Sequence, residues 1–241
     1  MKNLTSTALI VSALFAPACD DGISSPHEPE VVAAFDIVRT LVRREGGDVV
    51  FRQQVRADAG EVKPTPTGQL AGSAVFSYVW PTTIDSSAVG FDEAQGILAF
   101  ALTSHPDFDD TPLEDENQDG DVGNDGDLWH SHWVVLAQDA TCPGGLKVRD
   151  IPEGEKPRLP ATWPGLPLLI DSPGFVPRLE GDVVEVRIPE GAANFPDEFN
   201  YDGVTSALRV NSDLHQPLLC IVGVNDVASG DLSLPGHVGG H

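Results

Sequence analysis

The sequence predicts an all-β fold: an antiparallel β-sandwich of about nine strands, with long irregular loops and a Pro-rich arm. Short apolar, β-branched runs recur between clusters of Gly, Pro, Asn and Asp, and no long 3.6-residue period separates most of them. With 24 Gly and 20 Pro in 241 residues, the chain is rich in turn formers, yet its 41% hydrophobic content suffices for the core of a single domain. The formal charge of -23 leaves no basic stripe to release counterions from phosphates, so nucleic acid is not an expected partner.

Residues 1–18 read as a signal peptide: Lys2, the apolar stretch Ala8 to Phe15, then Ala16-Pro17-Ala18. The apolar stretch is shorter than the about 20 residues a spanning helix needs. Residues 19–32 are small, polar and Pro-containing, as a tether is. The domain is expected over 33–232, followed by a flexible Gly/His tail over 233–241 that carries His237 and His241.

Within the domain, Phe35 to Arg43 and Asp48 to Val55 flank a Gly46-Gly47 turn and predict a hairpin. Helical spacing of Val31, Ala34, Val38 and Leu41 competes with it, but β-branched content on both flanks favours strands. Further strands are expected at Ser73 to Val79, Gly96 to Leu102, Trp129 to Leu136, Leu166 to Ile170, Val183 to Ile188, Ser206 to Val210 and Leu218 to Val224. The span 152–177 holds seven prolines and is expected to wrap the sandwich as an ordered arm.

Two local patterns resemble known families. Ala16-Pro17-Ala18-Cys19 resembles the lipobox of bacterial lipoproteins, which implies cleavage before Cys19, acylation of its thiol and anchoring in the cell envelope. Ala16-x-Ala18 equally suits ordinary signal cleavage, which would leave a soluble periplasmic or secreted protein. Phe35-Asp36-Ile37-Val38, followed by the Gly-turned hairpin, is similar to the start of DOMON-type carbohydrate-binding sandwiches. Haem ligation through methionine, as in some DOMON domains, is excluded because Met1 is the only methionine. Tyr78, Trp80, Trp129, Trp133 and Trp163 are then candidates for sugar stacking, with core packing as the alternative that the residue types favour.

The most specific local signal runs from Asp115 to Asp127, with acids or Asn at 115, 117, 119 and 121 around Gly120. Ca²⁺ takes six to eight oxygens, and alternate acidic side chains on a tight turn can wrap them about one centre. Asp115, Asn117, Asp119 and Gly120 resemble the calcium loops of EF-hand and dockerin proteins, although the closing acid, Asp127, falls one residue late. A Ca²⁺ site is expected at Asp115, Asn117, Asp119, Asp121, Asp125 and Asp127.

A second metal site is expected where Trp129-His130-Ser131-His132-Trp133 leaves this loop. Residues two apart on a strand share a face, so the imidazoles of His130 and His132 can converge. His105, with Asp107 or Asp109, follows the apolar strand Gly96 to Leu102 and can complete a set for Zn²⁺ or another transition metal. Core histidines are the plainer alternative. His215 sits in a turn and is not expected to take part.

Cys142 and Cys220 are the two thiols left once Cys19 is set aside, and in an exported protein they are expected to pair. No nucleophile elbow, phosphate loop, dinucleotide fingerprint or His-Glu-x-x-His pattern is present. Two functions therefore stand: an exported, lipid-anchored, calcium-binding β-sandwich with a ligand- or partner-binding role, or an extracytoplasmic hydrolase with a His/Asp divalent-metal site. An ion that faces a cleft would favour the second.

Overall fold

The computed structural model describes residues 22–111, 113–211 and 217–239. The expected signal peptide, Cys19, His215 and His241 lie outside them. Fourteen strands follow in order: β1 (Ile23–Ser24), β2 (Ile37–Glu45), β3 (Asp48–Val55), β4 (Ala74–Pro81), β5 (Ile97–Ser104), β6 (His130–Gln138), β7 (Leu146–Val148), β8 (Ile170–Asp171), β9 (Arg178–Glu180), β10 (Val183–Pro189), β11 (Phe199–Tyr201), β12 (Val204–Val210), β13 (Leu219–Val227) and β14 (Gly236–Val238). Two short 3₁₀ turns are the only helical elements among the described residues, and none is long and apolar enough to cross a membrane.

The fold is all-β and antiparallel, as expected, but it is not a plain two-sheet sandwich. One sheet runs β5-β4-β12-β13-β7-β6, and the additional pairing of β5 with β6 closes it into a six-stranded barrel, with β8 attached to β6. A five-stranded sheet, β1-β2-β3-β10-β9, packs on one side of the barrel, and β11 pairs with β14 in a separate ribbon. Closure removes the edges an open sheet would expose. Register shifts on β12 between Thr205 and Ser206 and between Ala207 and Leu208 supply the bulges by which such a sheet bends.

The strand period of two sorts each barrel strand between two cores. Tyr78, Trp80, Leu98, Phe100, Leu102, Trp133 and Val135 point outward and meet Val42, Val49, Phe51, Val184 and Val186 of the five-stranded sheet. Their sequence neighbours Val79, Ala99, Ala101, Val134 and Leu136 point into the barrel, where they meet Val204, Leu208 and Ile221. Both faces of β5 and β6 are thus buried, which is why these strands read as continuous apolar runs. Tyr78, Trp80, Trp129 and Trp133 are buried in the core between sheet and barrel, leaving only Trp163 partly exposed among the five aromatics considered for sugar stacking.

Cys142 and Cys220 form a disulfide, with Cα atoms 5.4 Å apart across a sequence separation of 78. It sits at the thinnest seam of the barrel, where β13 meets β7 through one register pair, Cys220 with Lys147. Three stretches depart from expectation. Residues 236–238 are a strand rather than a free tail, because Val238 is buried and Phe199 pairs with it. Ile23–Ser24 of the expected tether pairs with Arg39 and Thr40 of β2. The strand expected at Leu166 to Ile170 shrinks to Ile170–Asp171, as prolines on both sides deny the backbone its donors.

Candidate metal centre

The register of β5 against β6 sets Thr103 opposite His130 and Ala101 opposite His132. Both histidines therefore lie on the inward face, and His105, two residues beyond Thr103, continues the same face past the end of β5. The return loop fixes it there: the His105 N–H donates to Gly126 O at 2.6 Å, and the Phe108 ring stacks on the imidazole at 4.3 Å between centroids. Gly126 is required at this crossing, since a Cβ there would lie 1.9 Å from Phe108 O.

The imidazole ring centres lie 4.6 Å (105–130), 4.8 Å (130–132) and 6.2 Å (105–132) apart. Asp110, brought in by the loop after β5, completes the group. Its Oδ1 is 3.1, 3.5 and 3.7 Å from Nε2 of His105, His130 and His132, and the His105 and His130 Nε2 atoms are 2.9 Å apart. His105, Asp110, His130 and His132 are 2%, 6%, 3% and 1% exposed. One ligand atom from each lies within 4.8 Å of all the others, so this buried cluster can hold a metal ion.

Each imidazole uses Nδ1 on its supports: His105 on Phe108 O at 2.8 Å, His130 on Leu128 O at 2.9 Å, and His132 on Asp171 O at 3.2 Å and Ser172 Oγ at 3.1 Å. A carbonyl only accepts, so Nδ1 carries the proton and Nε2 presents its lone pair to the centre. Two lone pairs 2.9 Å apart repel unless a proton or a cation lies between them. Nε2 of His132 and Oδ1 of Asp110 are both buried without a hydrogen-bond partner. Bonds of 2.0–2.1 Å to one tetrahedral ion put donors about 3.3 Å apart, and the four separations, 2.9–3.7 Å, bracket that value. The donor set fits a borderline transition ion better than a hard one.

At His132 the electrostatics point the same way, while His105 and Asp110 are coupled as an ion pair. Burial pushes the His132 imidazole down to about 3, helped by His130 and His105 and opposed by Asp110, so it stays neutral and keeps its lone pair. Burial acts to raise the Asp110 carboxyl, but the adjacent His132 and His105 imidazoles override it and hold it well below the ordinary range. At His105 burial is outweighed by the Asp110 carboxylate, which raises the imidazole. The cluster therefore keeps an ionised carboxylate deep in the fold, where a charge is stable only when paired.

The other expected residues are placed differently. Asp107 accepts from the Thr67 and Gly68 N–H groups at 2.7 and 2.6 Å at the surface, so Asp110 takes the position considered for it. Asp109 joins Glu116 and Asp125 in a second group of three carboxylates. In the acidic loop, Asp115 accepts from Asp119 and Gly120 N–H, Asn117 from Asp119 N–H, Asp119 from Asp121 N–H and Asp121 from Gly123 N–H. Asp127 pairs with Lys63 at 3.3 Å. Of the six residues expected to share one Ca²⁺, only Asp125 belongs to either carboxylate-bearing group among the described residues. Glu116 and the supports Asp171 and Ser172 were not singled out by the sequence, whereas Asp110 belongs to the acidic run after His105 from which one ligand was expected. Asp171 lies in the Pro-rich arm, and only its pairing through β8 to Trp133 brings it behind His132.

Inside the barrel the centre borders a cavity of about 170 Å³, lined by His105, Asp110 and His132 on one side and by apolar residues such as Val75, Val134 and Leu208 elsewhere. No family model, curated protein or solved structure matches the chain.

Proposed function

We propose that the chain is an exported metalloprotein that holds one divalent transition ion at His105, Asp110, His130 and His132 and presents it to a small, largely apolar molecule in the barrel. The observation that carries this reading is the convergence of three Nε2 atoms on one buried carboxylate oxygen, with His132 Nε2 and Asp110 Oδ1 left without partners. Three of the four ligands line the cavity, so an oxygen held there would join the ion as a fifth ligand, which favours a metal-dependent enzyme over a purely structural ion. When bound, the ion would supply Lewis-acid polarisation of an oxygen on the molecule or on water, as in hydrolysis. The protein's part is to fix the imidazoles through Nδ1 and to exclude bulk water with an apolar wall.

A cavity of 170 Å³ is close to the ~150 Å³ of an engineered apolar cavity that admits benzene. Benzene and phenol are therefore suitable probes by ligand-observed NMR. Both are expected to bind, phenol more tightly in the metal-loaded protein and without that preference after chelation. Val204→Phe, which fills the cavity from β12, should exclude both while leaving the metal in place. Binding of neither probe to the wild type would remove the ligand-binding half of the proposal.

Export rests on the signal segment and on the disulfide, which suits an oxidising compartment. Anchoring through Cys19 predicts that the mature wild type partitions with membranes and that Cys19→Ser abolishes this. A wild type cleaved elsewhere and wholly soluble would contradict the anchor without touching the metal centre.

A further inference from the structure

We infer that Asp109, Glu116 and Asp125 form a second cation site beside the His centre, for a hard divalent ion of the Ca²⁺ class. One carboxylate oxygen from each lies within 4.8 Å of the other two. Ca²⁺–oxygen bonds of 2.3–2.6 Å put opposite ligands about 4.6–5.2 Å apart, so the three fit around one ion. No Lys, Arg or His forms an ion pair with any of them among the described residues; the nearby Lys63 is engaged by Asp127.

A separate observation points to a ligand. Asp125 is 1% exposed, its carboxylate is one of the three in the group, and its Oδ1 is buried without a hydrogen-bond partner. Both Glu116 carboxylate oxygens are buried and partnerless as well, as is the Thr111 hydroxyl. Buried polar atoms without partners are few in native proteins, and each calls for an explanation such as strain, ordered water or a bound ion. Backbone bonds already orient the group: Glu116 N–H donates to Asp125 Oδ2 at 2.9 Å, and Asp125 N–H donates to Asp109 Oδ2 at 3.0 Å. Asp109 accepts through both oxygens, Oδ1 from Thr111 N–H at 2.8 Å and Oδ2 from Asp125 N–H, so the partnerless oxygens belong to Asp125 and Glu116; like charges gathered this closely call for a cation rather than for another acceptor. An all-oxygen set selects a hard ion, whereas the neighbouring imidazoles select a softer one.

The site has a structural consequence for its neighbour. Asp109 precedes the ligand Asp110, Leu128 N–H donates to Asp125 O at 2.8 Å, and Leu128 O holds His130 Nδ1. Gly126 O holds the His105 backbone. An ion on the three carboxylates would thus fasten both ends of the 109–125 loop, to which three of the four His-centre ligands are tied.

Calcium titration of the chelator-treated full chain, followed by calorimetry, tests the site. The wild type should take up a single Ca²⁺, and Asp125→Asn and Glu116→Gln should each lose it. Asp119→Asn, in the exposed part of the loop, and His132→Ala, in the other centre, should retain it. Calcium uptake unchanged in both Asp125→Asn and Glu116→Gln, or lost only in Asp119→Asn, would overturn the inference, as would absence of uptake by the wild type. Because His132→Ala reports on the imidazole centre alone, failure of either site is read separately from failure of the other.

Discussion

Chelating the proposed transition ion from the wild type is expected to lower its melting temperature by roughly 8–16 °C. An ion that binds only the folded chain stabilises it by about 4.1 kcal/mol at a thousandfold excess over Kd. For a chain of this size each kcal/mol corresponds to about 2–4 °C. The effect is specific to the folded state because the four ligands come from three places, the end of β5, the following loop and β6, and converge only when the barrel closes. His132→Ala should melt near the chelated wild type and ignore further chelation. The variant also loses the His132 Nδ1 bonds to Asp171 O and Ser172 Oγ and the packing of a buried ring, so any difference from the chelated wild type should be downward. Superimposable wild-type melts with and without a transition-metal chelator would refute this.

Breaking the Cys142–Cys220 bridge should have a comparable effect. Closing a loop of 78 residues restrains the unfolded chain by about 4 kcal/mol in the chain-entropy model. The bridge also joins β13 to the turn before β7, where the barrel is held by a single register pair. The double variant Cys142→Ser, Cys220→Ser is therefore expected to unfold at lower denaturant, by about 4 kcal/mol in extrapolated stability. Native-state hydrogen exchange should show β7 opening before β4 and β5, which are paired along their whole lengths. Equal denaturation midpoints for oxidised wild type and double variant would contradict the role given to the bridge.

The sequence announced strands well wherever both faces are apolar or alternate cleanly. The β2–β3 hairpin, β4, β5, β6, β10, β12 and β13 all carry such runs and lie within a few residues of where the pattern put them. Closure of a barrel was not legible, because it depends on which strands pair, and β5 and β6 are separated by 25 residues with no strand among the described ones. Short strands such as β7, β9, β11 and β14, at three residues each, are too brief to show a period. In the site, His130 and His132 were legible from the period of two. Asp110 was not distinguishable from Asp107 and Asp109, since the choice among them follows from the loop's path: Asp107 is drawn to Thr67 and Gly68, and Asp109 to Asp125 N–H. The alternating acids and Asn of 115–121 suggested a calcium loop, yet that alternation equally serves a chain of side-chain oxygens, those of Asn117, Asp119 and Asp121, capping N–H groups two residues ahead.

Elemental analysis of the natively purified full chain, beside His132→Ala, addresses the central claim most directly. One divalent transition ion per chain in the wild type, and essentially none in the variant at unchanged fold by circular dichroism, is the predicted result. A wild type without a stoichiometric transition metal, or a variant that keeps it, would contradict the metal centre.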